Sequence, residues 1–583
     1  MKRISILAAA ALIMGVSAQA APSVPKIHRA QASGMLASVK SAKENSQGRK
    51  LAPVSKKRGI RRAPSMNVPG PTEAQNHVIT EAPAGKRGYY AKQGNSWGNE
   101  YGFWVYQTAS DGCVADIVLT DDNKIYMAPA FSEGVADYGT TYIVGDVKDG
   151  VATFTFPQAV FYGPVYDEDY NIIMDYDYAL MMEYVEDDEG YYDLVPSSKQ
   201  TISFNIAEDG TLTPTVEDPD TYVAAAWWYP DDAETSDNTY GGWTWGMLAD
   251  NYTSLTPVKE TPTVLPEGVT AEQWNVIEGK QGYAAGVAIS GSDIYICGLY
   301  PGLPEGVIAG KIEGNKAVFP SVTYLGVDES TYYMAYAQSA EWVEYEDPDY
   351  GLMEGLVADG KEIVFDYDAA AGKLSSEGSI VFSMIPDGTI ALSMGLQNPL
   401  ICKASGKEIT EINKPFIVEY MPYDDENAAG YIGFTIHNVV NGTDVIPADK
   451  LYFSIYMNDE LLAFDPETYL CFDKDETEVP YGFTDETESM AIEYDMNYNA
   501  QFVAFIVDGI STIGVQAIYK DGDKVVKSEI VTINGEEPYE GEDDSIKEII
   551  ASGAVTGIFD LQGRKLVAPV KGINIINGKK VIL

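Results

Sequence analysis

Two stretches of this chain repeat each other, in the same order, as runs of alternating residues. In the first, Ile125-Tyr126-Met127 leads to Ile143-Val144-Gly145-Asp146-Val147-Lys148-Asp149-Gly150, then Phe154, Ile202-Ser203-Phe204, Gly210 and Leu212. In the second, Ile294-Tyr295-Ile296 leads to Ile308-Ala309-Gly310-Lys311-Ile312-Glu313-Gly314-Asn315, then Phe319, Ile363-Val364-Phe365, Gly372 and Leu374. The offset drifts from 169 to 165 to 161 residues, which two small deletions account for. Asp149-Gly150 and Gly314-Asn315 fall between the runs, where a tight hairpin needs residues that tolerate positive φ. Alternation at Val147, Val151 and Thr153, and at Ile312, Lys316 and Val318, predicts strands with one buried face and one wet face. The expectation is a pair of related antiparallel β-meander domains, 67–262 and 263–410. A linker running from Thr253-Ser254-Leu255-Thr256-Pro257 to Pro266 joins them. Periodicity leaves barrel, sandwich and propeller-like blade open.

Composition agrees with an all-β chain. Tyr is frequent, at 40 residues, beside many Val, Ile, Thr and Phe. No long stretch carries a clean 3.6-residue apolar period. A third unit, 411–538, alternates at Ile432, Phe434 and Ile436, at Leu451, Phe453, Ile455 and Met457, and at Val503, Phe505 and Val507. Turns at Asn458-Asp459 and Lys520-Asp521-Gly522-Asp523 punctuate it, which predicts an immunoglobulin-like β-sandwich. Gly535 to Asp544 reads as an acidic linker.

The two ends speak to destination. Lys2 and Arg3, the apolar run Ile4 to Val16 and the small-residue pattern Ser17-Ala18-Gln19-Ala20 form a secretory signal peptide over 1–20. The run is too short to span a membrane, and no second one of spanning length follows. Residues 21–66 hold eleven Lys and Arg against Glu44 alone. They read as a disordered basic spacer, or as a propeptide that docks on the acidic body. Residues 67–544 hold 20 Lys and Arg against 84 Asp and Glu, a field that repels nucleic acid and anionic membrane.

The tail, 545–583, is basic again. Gly557-Ile558-Phe559-Asp560-Leu561-Gln562-Gly563-Arg564-Lys565 leads through Pro569 to Lys571-Gly572-Ile573-Asn574-Ile575-Ile576 and then Asn577-Gly578-Lys579-Lys580-Val581-Ile582-Leu583. This resembles the C-terminal sorting domain of type IX secretion cargo of Gram-negative bacteria. That domain has a strand ending in Asp-x-x-Gly-Arg, a Pro-containing loop, a Lys-Gly-hydrophobic strand and a final strand after Gly-Lys-Lys. The match covers about the last 35 residues. It implies sorting roles for Asp560, Gly563, Arg564, Lys571, Gly572, Gly578, Lys579 and Lys580, secretion and sorting machinery as partners, and attachment at the outer surface or release. It implies nothing about activity.

Motifs for catalysis are missing. His28 lies in the leader and His77 just before the first domain. His437 falls on the opposite, wet face of the Ile432-Phe434-Ile436 alternation. A multi-His metal site and a His-based triad are therefore not expected. No nucleophile elbow, P-loop, dinucleotide fingerprint or zincin motif occurs. Cys113, Cys297, Cys402 and Cys471 show no metal or redox spacing. A Cys297–Cys402 bridge is conceivable, but buried thiols fit better. So many acids make carboxylate pairs uninformative for a glycosidase. Acidic loops such as Asp167-Glu168-Asp169, Asp347-Pro348-Asp349 and Asp473-Lys474-Asp475 could face calcium, but no calcium motif supports a cofactor.

One aromatic cluster bears on binding. The run Asn238-Thr239-Tyr240-Gly241-Gly242-Trp243-Thr244-Trp245-Gly246 has no counterpart in the second repeat, and Trp243 and Trp245 share a strand face. With Tyr240 they could form a platform for sugar rings, although aromatics more often fill a β core. The reading is a non-catalytic secreted or cell-surface β protein. Its alternatives are a carbohydrate-binding protein and, with no motif behind it, a glycoside hydrolase; an extracellular glycan or a host protein would be the partner.

Overall fold

The computed structural model describes residues 68–540, except 101–103, 133–138, 167–171, 187–191, 230–241, 348–350, 387–390, 425–428, 486, 488–490 and 496–498, together with short strands of the tail. Apart from brief 3-10 turns, the described elements are strands.

The first repeat contains β1 (Lys86–Glu100), β2 (Trp104–Ala109), β3 (Val114–Leu119), β4 (Lys124–Ala128), β5 (Ile143–Lys148), β6 (Val151–Thr155), β7 (Gln158–Tyr166), β8 (Ile172–Glu186), β9 (Tyr192–Pro196), β10 (Thr201–Ile206), β11 (Leu212–Pro214), β12 (Thr221–Trp228) and β13 (Trp243–Pro257). The second contains β14 (Glu272–Glu278), β15 (Gln281–Ser290), β16 (Asp293–Cys297), β17 (Val307–Glu313), β18 (Lys316–Phe319), β19 (Val322–Asp328), β20 (Tyr333–Asp347), β21 (Gly351–Ala358), β22 (Ile363–Asp368), β23 (Lys373–Ser375), β24 (Ser379–Ser383), β25 (Ala391–Gln397) and β26 (Leu400–Cys402).

Each repeat is a closed barrel carrying a side sheet. The second barrel runs β14-β15-β16-β17-β18-β22-β23-β26. The first runs β1-β3-β4-β5-β6-β10-β11-β13 and closes because β1 also pairs with β13. The closing ladders correspond: Leu212 faces Leu255 across β11 and β13, and Leu374 faces Ile401 across β23 and β26. Closure resolves the question that periodicity left open, and it removes the sheet edges from both barrels. The hairpins form where the turn residues predict them. Asp149 and Gly150 have φ of 52° and 76°, and Gly314 has 66°. Ala152 and Phe154 point into the first core, and Ala317 and Phe319 into the second.

The side sheets are inserted at equivalent points of the chain. One is β7-β8-β12-β13, with β9 on β8 and an extension through β1 to β2; the other is β19-β20-β24-β25, with β21 on β20. A single strand, β13, serves sheet and barrel in the first repeat, where the second uses β25 and β26. Gly94, at φ 147°, permits this junction, because a Cβ there would lie 1.8 Å from the Asn251 carbonyl oxygen. Strand pairing through Pro257 also shortens the expected linker: Thr253–Pro257 belongs to β13, and Ser254 to Pro257 pair with β1.

The third unit is a two-sheet sandwich. One sheet orders Ile492–Asp495, Ala500–Phe505, Ala429–Thr435, Phe416–Asp424 and Tyr539–Glu540; the other orders Glu460–Leu461, Leu451–Met457, Thr512–Asp521 and Lys524–Lys527. This is the D-E-B-A and C′-C-F-G order of an immunoglobulin-type sandwich. Ile432, Phe434, Phe453, Ile455, Val503 and Val515 meet in its core. Asn458 and Asp459 both take positive φ in the expected hairpin. Tyr539–Glu540 pairs with Phe416–Asp424, so part of the stretch read as a linker is sheet.

Candidate functional site

Trp243 and Trp245 are 0 % and 6 % exposed, so they offer no outward platform for sugars. The face they share is covered. Trp243 packs edge-on to Tyr178 at 5.5 Å, and Trp245 edge-on to Trp97 at 6.0 Å. The cover includes the segment leading into the first barrel: Val68 is buried among these rings, and the Trp243 indole N–H donates to the Pro69 carbonyl at 3.3 Å. Tyr240 lies outside the described residues. A period-two pattern reports which residues share a face; it does not report what lies over that face.

The second repeat is covered in a similar way. Ala226 pairs with Tyr178 and Ala224 with Leu180, as Ser383 pairs with Tyr336 and Val381 with Gln338. The alternate residues Val223 and Ala225, and Ile380 and Phe382, point into their barrels. Tyr178 and Tyr336 are therefore equivalent. Tyr178 donates its hydroxyl to Asn76 at 2.8 Å, and Tyr336 donates to Glu260 at 3.1 Å, each acceptor lying on the segment that leads into its own repeat.

Polar groups of neighbouring units meet at two junctions. At the first, the Val114 N–H donates to Tyr332 O and the Met334 N–H to Gly112 O, both at 2.8 Å, so backbone from the two repeats pairs directly. Val114, Val327 and Tyr332 are buried together beside this bridge, and Tyr89 donates to Glu329. Nearby, the buried Asp116 carboxylate accepts from Arg87 Nε at 2.9 Å and from the Tyr142 hydroxyl at 2.6 Å. Burial and that hydrogen bond push the Tyr142 hydroxyl well above its ordinary value.

At the second junction the Asn438 side chain reads a backbone unit of the barrel. It accepts from the Gly282 N–H at 2.9 Å and donates to the Gly282 carbonyl at 2.8 Å. Val439 N–H donates to Lys280 O, and Asn275 donates to Thr443 O at 2.7 Å. Asp444 accepts from the Ser405 N–H at 2.6 Å and from Asn441 at 2.9 Å. Burial alone would raise the Asp444 carboxyl, but these hydrogen bonds outweigh it and hold the group below its ordinary value. His437 is half-buried here, with Nδ1 3.2 Å from Gln281 Nε2. The wet strand face expected for it is corrected, because its strand ends at Thr435 and is buried on both faces.

A separate buried cluster locks β1 to β13. Lys92 and Asp250 have fully buried side chains and pair at 3.0 Å. Lys92 Nζ also lies 2.7 Å from Ser132 Oγ, and the Ser132 N–H donates to Asp250 at 2.6 Å. Sequence reasoning missed this cluster, since nothing local pairs residues so far apart in the chain.

None of the four cysteines is in a disulfide. Burial, with Asp485 nearby, pushes the Cys471 thiol up to about 11, which leaves it protonated at neutral pH. Among the described residues no group of three or more His, Cys, Asp or Glu converges as a metal site, and no helix is long and apolar enough to cross a membrane.

In the tail, the backbones of Ile558–Asp560, Lys565–Leu566, Ile573–Ile576 and Lys579–Ile582 form one antiparallel sheet. Asp560 pairs with Asn574, Lys580 with Ile575 and Lys579 with Ile576. Gly563, Arg564, Lys571, Gly572 and Gly578 lie outside the described residues, as do residues 1–66, where a signal peptide and a basic leader are expected. The chain matches no protein-family model and no curated protein.

Proposed function

We propose that this chain is a non-catalytic, exported surface protein: a stiff row of three β units that its C-terminal module sorts to the cell exterior. The observation that carries this reading is the construction of the two junctions. Flexible linkers would leave neighbouring units free to reorient. Here the Val114–Tyr332 and Met334–Gly112 backbone bonds join the first pair, and the Asn438–Gly282 amide pair joins the second. A row with fixed junctions suits a spacer or display role, in which distance from the cell is the useful property. The strongly acidic body supports the same reading, because self-repulsion between copies favours solubility in a crowded exterior. The signal peptide and the sorting-domain resemblance supply the route.

Protease shaving of intact cells tests it. Digestion of the full chain on unbroken cells, with a periplasmic marker left intact, is the expected result. A chain cut only after lysis would overturn the reading.

A further inference from the structure

The outer face of the first side sheet holds a segment that is bonded to it as a ligand would be. Trp243 donates its indole N–H to the Pro69 carbonyl, and Tyr178 donates its hydroxyl to the Asn76 side chain. The Trp228 ring is gripped by two glycines: a Cβ on Gly70 would lie 2.3 Å from it, and one on Gly242 would lie 2.5 Å from it. The seated sequence is Val68-Pro69-Gly70-Pro71. Val68 is buried among the aromatic rings while Pro69 is exposed, and an indole N–H given to a main-chain carbonyl beside aromatic rings is how aromatic-lined grooves hold extended peptides.

We propose that this face is a peptide-binding groove, that residues 68–76 occupy it in cis, and that its ligand in trans is an extended peptide with a Val-Pro-Gly core. One observation makes the occupant separable. Among the described residues its first bridge to the barrel is at Ile79, which pairs with Tyr142; residues 68–76 are held there by the face itself and by Gln75, which donates to the Pro157 carbonyl at 2.9 Å. The segment is then a built-in competitor, and a ligand in trans binds only as far as the groove is vacated.

The test uses the full chain, its Gly70→Ala variant and a fluorescein-labelled peptide of residues 66–78. Gly70→Ala forces the segment off Trp228 without touching the groove. The expected results are faster hydrogen exchange over 68–76, an unchanged core, and peptide affinity about tenfold higher than for the unmodified chain, because occupancy in cis lowers apparent affinity in proportion. Replacing Gly70 or Asn76 by Ala in the peptide should weaken binding about three- to tenfold, with no effect on the protein's folding. Any of four results would overturn the proposal: unchanged exchange over 68–76, a released segment with no peptide bound, binding indifferent to both peptide changes, or a concentration-dependent dimer in place of peptide binding.

Discussion

Tyr178 and Tyr336 occupy the same position in two copies of one fold, and each hydroxyl bonds a side-chain oxygen on the segment entering its own copy. The repeat is thus a barrel, a side sheet and a strap, and the strap is anchored through Asn76 in the first copy and Glu260 in the second. Tyr178→Phe and Tyr336→Phe should each cost about 0.5–1.5 kcal/mol in urea unfolding, the usual net value of one such bond. Two variants as stable as the parent would deny the anchor its role.

The Lys92–Asp250 pair gives a larger effect. Asp250→Ala leaves the Lys92 ammonium in a dry core and should cost about 3–5 kcal/mol. Replacing both, as Lys92→Met with Asp250→Leu, should recover most of that loss, since the desolvation cost goes with the charges. A double variant no more stable than Asp250→Ala would show that shape, rather than charge, governs the site. Chemical denaturation of the three chains decides.

Asn438→Ala should loosen the second junction while sparing the cores. It removes an acceptor and a donor that meet the backbone N–H and carbonyl of Gly282, and should lower the unfolding free energy by about 1–3 kcal/mol. Gly282→Ala attacks the same junction from the other side, because its Cβ would lie 2.7 Å from a Val445 methyl and 2.8 Å from the Val276 carbonyl oxygen. Small-angle scattering should show both variants sampling more bent shapes than the parent. Profiles identical to the parent would mean that the junction does not depend on this contact.

The pH response follows from two opposed sets of carboxyls. Hydrogen bonds from Lys527 and, after burial has opposed them, from Lys520 hold Glu478 below its ordinary 4.5, and Asp444 is also depressed. Groups with depressed folded values stabilise above the ordinary range and lose that contribution as pH falls through the folded value. Glu493 is raised by burial and then by Asp495, so its contribution runs the other way and improves as it protonates. With 84 acids repelling one another in the body, the melting temperature should rise from pH 7 to 5 and fall below about pH 4, as the depressed groups titrate. A steady fall from pH 7 to 5 would contradict this.

What the sequence made legible is what local chemistry determines. Asp149-Gly150 and Asn458-Asp459 mark hairpins because few other residues tolerate their φ, and the alternation at Phe453 and Ile455 marks a buried face whatever the topology. Barrel closure was not legible, because the β1–β13 ladder joins residues at opposite ends of the first repeat. The burial of Trp243 and Trp245 was not legible either, since the strap over them is distant in sequence. The side sheets left one faint signal, the shared dipeptides Tyr178-Ala179 and Tyr336-Ala337, which loops of unequal length hide from an alignment by offset.

Fractionation of cells that express the full chain, or a chain lacking residues 557–583, asks whether the tail sorts an exported row of β units. The full chain is expected at the surface and the truncated one in the periplasm with its body folded, its melting temperature within about 2 °C of the parent because the tail shares no described ladder with the body. A truncated chain at normal levels on the surface would contradict it.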